Sequence, residues 1–172
     1  MPTLALPSLE ATERFAAAVA PLLRDGDVVE LIGDLGAGKT TFTGALARAL
    51  GSFEPARSPT YTVAHRYELP DGRWLAHLDC YRASGTLDAA AWGDVEPYFD
   101  GGIACVEWPD AIRPWIADRP TWRVQLALVD LGSRTARVEA PADRAQVLVD
   151  AVLDAARGAA GGAHASDRHE LR

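Results

Sequence analysis

At 172 residues, 48% apolar and 24% charged, the chain has the make-up of a globular protein and the length to bury a sizeable core as one domain. Its net charge of −7 argues against a free-standing nucleic-acid binder, which needs a basic face for phosphate contacts. No apolar run reaches the length of a membrane span, and Met1-Pro2-Thr3-Leu4 lacks the basic and apolar regions of a signal peptide, so a cytoplasmic, membrane-free protein is expected.

Ser8 is placed to cap a first helix, with Glu10 and Glu13 near its positive end and Leu9, Thr12, Phe15, Val19, Leu22 and Leu23 at helical spacing. Asp25-Gly26-Asp27 breaks it. Val28 to Ile32 reads as a buried strand running into Gly33-Asp34-Leu35-Gly36-Ala37-Gly38-Lys39-Thr40. Phe42, Ala45, Leu46, Ala49 and Leu50 then define an amphipathic helix that Gly51 stops. After a loop from Ser52 to Thr60, the alternation of Tyr61, Val63, His65, Tyr67 and Leu69 predicts a strand. The Pro70-Asp71-Gly72 turn leads into a second strand, Trp74 to Tyr81, so the sheet is expected to contain an antiparallel hairpin.

Residues 84 to 100 read as short helical pieces around Gly93. Ile103 to Val106 suits a central parallel strand and ends in Glu107-Trp108-Pro109, followed by a short helix to about Trp115. Trp122 to Val129 and Arg134 to Glu139 form a closing hairpin. Pro141 opens a last helix with Val147, Leu148, Ala151, Val152 and Ala155 on one face. The tail from 158 to 172, rich in Gly, Ala and His, is expected to be disordered, which leaves residues 1–157 as the folded domain. Cys80 and Cys105 lie in apolar strand segments and read as buried free thiols.

The pattern G-x-x-x-x-G-K-[ST] at 33–40 is the main chemical motif. Lys39 is the only lysine in the chain; every other basic residue among its 17 Lys+Arg is arginine. A loop that wraps phosphates needs a slim point charge, which arginine's wide planar fork does not supply. The amides of Leu35, Gly36, Ala37, Gly38, Lys39, Thr40 and Thr41 are expected to cradle phosphate oxygens at a helix N-terminus. Lys39 would neutralise the β and γ phosphates, and the Thr40 hydroxyl would ligate magnesium. The strand before the loop and the helix after it are the context this motif requires.

Glu107 directly follows a buried strand, where a second acidic residue holds magnesium or orients water. Asp79 ends another strand and could polarise water beside the γ-phosphate. His77 shares Asp79's face and reads as a satisfied, partly buried core histidine. Ser58-Pro59-Thr60-Tyr61-Thr62 suits either a switch segment or an ordinary strand lead-in. The five tryptophans read as core or interface anchors, with Trp108 set apart by its place beside Glu107. A guanine-reading Asn-Lys-x-Asp motif is impossible with one lysine, so ATP is favoured over GTP. The loop also lacks the G-x-G-x-x-G of a Rossmann site.

Four stretches occur in this order: Gly-Asp-Leu-Gly-Ala-Gly-Lys-Thr-Thr at 33–41, Ser-Pro-Thr-Tyr-Thr at 58–62, His-Leu-Asp-Cys-Tyr-Arg at 77–82 and Val-Glu-Trp-Pro at 106–109. Together they resemble the TsaE (YjeE) family, small bacterial ATPases of tRNA threonylcarbamoyladenosine biosynthesis, over about Pro7 to Glu139. The resemblance implies a P-loop NTPase-like three-layer α/β sandwich with a mixed parallel and antiparallel sheet. It implies ATP and Mg2+ as cofactors, Lys39 and Thr40 on phosphates and metal, Glu107 as second metal ligand and Asp79 as the acid needed for hydrolysis. It also implies Thr60 in a switch-like loop, Arg134 against the adenine and the start of the first helix, near Leu9, closing the other side of the base. Cys80 stands where the family usually has leucine, a core substitution. The implied partners are TsaD and TsaB, which an acidic ATPase would serve without touching tRNA.

Three functions are compatible with these residues. The first is a partner-dependent Mg-ATPase, slow alone because no arginine finger is evident. The second is a small-molecule P-loop kinase, disfavoured because the candidate lid at 83–100 contains no arginine. The third is a nucleotide-binding adaptor without turnover.

Overall fold

The sheet is a single mixed one of seven strands, ordered β1-β7-β6-β2-β5-β4-β3, in the computed structural model, which describes residues 3–55, 59, 64–83 and 85–151. The elements in chain order are β1 (Thr3–Leu6), α1 (Leu9–Val19), β2 (Val28–Ile32), α2 (Lys39–Ala49), β3 (Ala64–Glu68), β4 (Trp74–Asp79), α3 (Ala89–Val95), β5 (Ile103–Glu107), β6 (Thr121–Leu128) and β7 (Arg134–Glu139). Strands β6, β2, β5 and β4 run parallel through the centre. The antiparallel partners β7 and β1 extend one side, and β3 the other.

Parallel strands need cover on both faces, and β2, β4 and β5 are buried along nearly their whole length, while β6 alternates and leaves Arg123 and Gln125 exposed. Alternation along β2 and β5 sends Val29, Leu31 and Cys105 to one core, where Phe15 of α1 and Phe42 of α2 meet with ring centroids 5.3 Å apart. Val28, Ala104 and Val106 point the other way, against Trp92, Val95, Phe99 and Ile112. The result is a P-loop-like three-layer α/β architecture.

Local chemistry sets the ends of the elements. The Ser8 side chain accepts the Ala11 N–H at 3.3 Å and caps α1. The helical pattern expected to Leu23 breaks earlier: α1 stops at Val19 and passes into a 3-10 turn, Ala20–Leu22, because Pro21 has no N–H and its ring crowds the preceding turn. The helix expected up to Trp115 is instead two 3-10 turns, Pro109–Ala111 and Arg113–Trp115, broken by Pro109 and Pro114. The strand expected to reach Tyr81 ends at Asp79, whose Oδ1 accepts the Tyr81 N–H at 2.9 Å and turns the chain. Strand β1 is not apparent in the sequence. Four residues between prolines carry no period, and only pairing with β7 makes them a strand. The last helix begins as a 3-10 turn at Ala142–Arg144 and is α-helical from 145 to 151. Its buried contact is Leu148, while Val147, expected on the same face, is half exposed. Val152, Ala155, the tail, Thr60 and most of the 58–62 segment lie outside the described residues.

A buried ion pair ties this last segment to the sheet. Asp27, just before β2, is 1% exposed. Its carboxylate receives both terminal nitrogens of Arg144, one at 2.9 Å, plus the Trp122 indole N–H at 3.1 Å and the Arg24 amide at 2.9 Å. Removing one member strands a buried charge, which costs more than replacing both with apolar groups. Arg144→Met is therefore expected to lower unfolding free energy by about 3 kcal/mol in urea titrations, with Asp27→Leu/Arg144→Met less damaged than the single variant. Equal or greater loss in the double variant would refute this reading of the pair.

Candidate functional site

The glycine loop joins the end of β2 to the start of α2 and bends where only glycine fits. Gly33 has φ 150°, and a Cβ there would lie 2.3 Å from the Leu126 carbonyl oxygen. Gly38, immediately before α2, has φ 99°, and a Cβ would sit 2.6 Å from Nε of Arg134. That nitrogen donates to the Ala37 carbonyl at 3.1 Å, so the arginine at the start of β7 is seated on the loop. The first turn of α2 supplies amides without partners inside the helix, and its dipole adds positive potential at the same point. Leu35, Gly36, Gly38, Lys39, Thr40 and Thr41 line a cavity of about 320 Å³, together with Asp79, Tyr81, Arg82, Glu107, Trp108 and Arg134.

Lys39 is 4% exposed. Its Nζ donates to the carbonyls of Gly33 at 2.8 Å and Asp34 at 2.9 Å, and lies 4.2 Å from the centre of the Trp108 ring. Burial pushes its ammonium below the usual lysine range, and the carboxylates of Glu107, Asp79 and Asp34 oppose that push. Trp108 is the one non-glycine residue among those described with positive φ, at 57°. This conformation brings its ring over the lysine and against Tyr81, centroids 5.0 Å apart.

Glu107 ends β5 and faces the same side of the sheet as α2. Its Oε1 accepts the Thr40 hydroxyl at 2.6 Å and lies 2.9 Å from Nε2 of His77. Burial pushes the carboxyl up, but hydrogen bonds from His77 and Thr40, with the charges of His77 and Lys39, hold it below the usual range. Asp79 pairs in register with Glu107 at the neighbouring strand end. Two acids, a buried lysine and a helix N-terminus thus share one pocket at the carboxyl ends of parallel strands, the position where open α/β sheets bind ligands.

The model of the family described as "Threonylcarbamoyl adenosine biosynthesis protein TsaE" matches residues 6–136. The chain belongs to the TsaE family. It is 38% identical over 122 residues to the tRNA threonylcarbamoyladenosine biosynthesis protein TsaE of Streptomyces coelicolor, covering 70% of this chain and 82% of that one. The protein of the same name from Aquifex aeolicus is 40% identical over 111 residues, covering 63% and 77%. The crystal structure of YdiB from Bacillus subtilis superposes with a TM-score of 0.68 at 28% identity, covering 92% of this chain and 95% of that one.

In this TsaE-family fold, the residues expected to act together are mostly brought together. Lys39, Thr40, Asp79, Glu107 and Arg134 all reach the one cavity, and Ala37 is buried beneath it. Leu9 opens α1, is half exposed and is not among the residues lining that cavity. Thr60 is not described. Two residues carry more than the sequence indicates. His77 is fully buried, not partly, and is bonded to Glu107. Arg82 lines the cavity from the same chain although no arginine finger was evident; its place three residues past Asp79 was the available clue.

The donors present fit a hard dication. A hydroxyl and a carboxylate oxygen 2.6 Å apart are the oxygen ligands that magnesium takes. Among the described residues no cluster of three or more His, Cys, Asp and Glu is placed to hold a metal alone. Such a site would be completed by substrate oxygens and water.

Both cysteines are free and buried. Burial, with the nearby Asp79 charge, pushes Cys80 up to about 11, and complete burial pushes Cys105 higher still. Native protein is expected to show no fast-reacting thiol with a disulfide reagent at pH 8, and two after unfolding in guanidinium. A fast native thiol would contradict the placement of Cys80.

Proposed function

We propose that this protein is a magnesium-dependent ATPase of the cytoplasm that supports the TsaD–TsaB complex in threonylcarbamoylation of the adenosine beside the anticodon of tRNAs reading A-starting codons. The observation that carries this reading is the convergence of Lys39, Thr40, Glu107 and Asp79 on one cavity at the N-terminus of α2, in a chain of the TsaE family. A net charge of −7 supports service through protein partners instead of direct tRNA binding.

Each residue has a physical task in this reading. The loop amides from Leu35 to Thr41 bind phosphate oxygens, and Lys39 exchanges its two loop carbonyls for the β and γ phosphates. An anion there relieves the desolvation that lowers its ammonium. Thr40 and Glu107 would hold the metal, which would supply neutralisation of charge on the phosphate oxygens. Asp79 accepts a hydrogen bond from the attacking water and orients it toward the γ-phosphate. Arg134 flanks the base from its seat on Ala37, and Arg82 stands within the same pocket.

The kinase alternative has one observation in its favour. A second cavity of about 310 Å³ lies across Tyr81 and Trp108, lined also by Cys80, Ala83, Gly85, Thr86, Asp110 and Ala111. Against it, the segment that would form a lid is packed down: Trp92, Val95 and Phe99 are buried in the second core. The ATPase reading is therefore preferred.

Magnesium-dependent phosphate release should be slow for the protein alone, rise with TsaD and TsaB, and vanish in Lys39→Ala. Asp79→Asn should lose hydrolysis by about a hundredfold or more while retaining nucleotide affinity in calorimetry. Turnover indifferent to both partners, with phosphate transferred to a metabolite, would replace this reading with the kinase.

A further inference from the structure

A glutamate at the end of β5 carries a cost that an aspartate would not. Its extra methylene gives the carboxylate one more torsion, so it must be held if it is to stay presented to α2. The fold holds it from two sides. Thr40 of α2 donates to Oε1 at 2.6 Å, and His77 of β4 lies 2.9 Å from the same oxygen. An ionised carboxylate only accepts, so Nε2 of His77 carries the proton in this contact.

The two holds differ in kind. In the proposed reading Thr40 would also serve the metal through a lone pair of its hydroxyl oxygen, so that hydroxyl would be shared between Glu107 and the cation. His77 has no such second task at the cavity, which it does not line. It is fully buried, pairs with Cys105 across the β4–β5 ladder, and is walled by the Tyr67 ring, near-parallel with centroids 6.4 Å apart. Its ring is thus fixed by the sheet and not by the ligand.

We propose that His77 is a positioning residue that holds the Glu107 carboxylate in place from the side of β4, independently of the Thr40 hydroxyl that the metal would share. The proposal rests on the magnesium-nucleotide reading given above. Groups that orient a metal ligand in this way commonly contribute ten- to a hundredfold in metal affinity (about that range in characterised sites).

The test compares two polar substitutions that differ in reach. The amide nitrogen of His77→Gln stands near the position of Nε2, whereas that of His77→Asn falls about a bond length short. Mn2+ affinity of the ADP-bound protein is measured by electron paramagnetic resonance, and ADP affinity is measured separately in excess chelator. His77→Asn should weaken Mn2+ binding about tenfold or more, with metal-free ADP affinity unchanged. His77→Gln should stay within about threefold of the unaltered protein. In a Glu107→Asp background, where the shorter acid falls away from His77, the Asn substitution should add little.

Equal Mn2+ affinity in the Asn and Gln variants would overturn the proposal and leave the nucleotide reading standing. Loss of metal-free ADP affinity alongside Mn2+ affinity would also overturn it, showing His77 to support the fold of the pocket generally. If the unaltered protein binds ADP but gains no Mn2+ site, the magnesium reading and the proposal fall together.

Discussion

The buried carboxylate of Glu107 is the constraint around which the pocket is arranged. Its side chain is 6% exposed, and an anion so far from water must be matched by donors and positive charge or it will not stay ionised. Those donors come from two separate elements: Thr40 and the charge of Lys39 from the first turn of α2, and His77 from β4. They meet only because β4, β5 and β2 run parallel and end at the same edge, with α2 starting there. The lysine has the converse need. Its ammonium is met by two loop carbonyls and the face of Trp108.

Trp108 shows where the chain accepts strain. A left-handed tryptophan costs about 1–2 kcal/mol relative to ordinary backbone, and such costs persist where surrounding contacts over-determine them. Here the ring is held by the lysine and by Tyr81. The pair Tyr81–Trp108 forms a wall between two cavities of similar size. One has Lys39, Arg82 and Arg134 on its lining; the other has none of them. The first cavity therefore carries the positive charge.

Much of the site was legible because its chemistry is local. The glycines, Lys39 and Thr40 are neighbours in sequence, and the strand before them and helix after them could be read from period alone. Glu107 and Asp79 were legible one step further, as acids at the ends of apolar runs. His77 was misjudged in degree, as a core histidine of no particular partner, because its partner lies 30 residues away on another strand. Nothing within the His-Leu-Asp segment says that this strand pairs with β5 in the register that sets Asp79 opposite Glu107. Arg82 escaped for a similar reason, since it lies just before the segment examined as a lid.

The amino-acid sequence by itself determined the identity and spacing of the glycine-loop residues and the two strand-end acids. These follow from short-range sterics, capping and period, which neighbours in the chain enforce. Only the tertiary structure decided that β1 is a strand, that Arg144 anchors the last segment on Asp27, and that His77 closes on Glu107. Each depends on strand order and register, and those are set by contacts between segments tens of residues apart, where no local pattern carries the information.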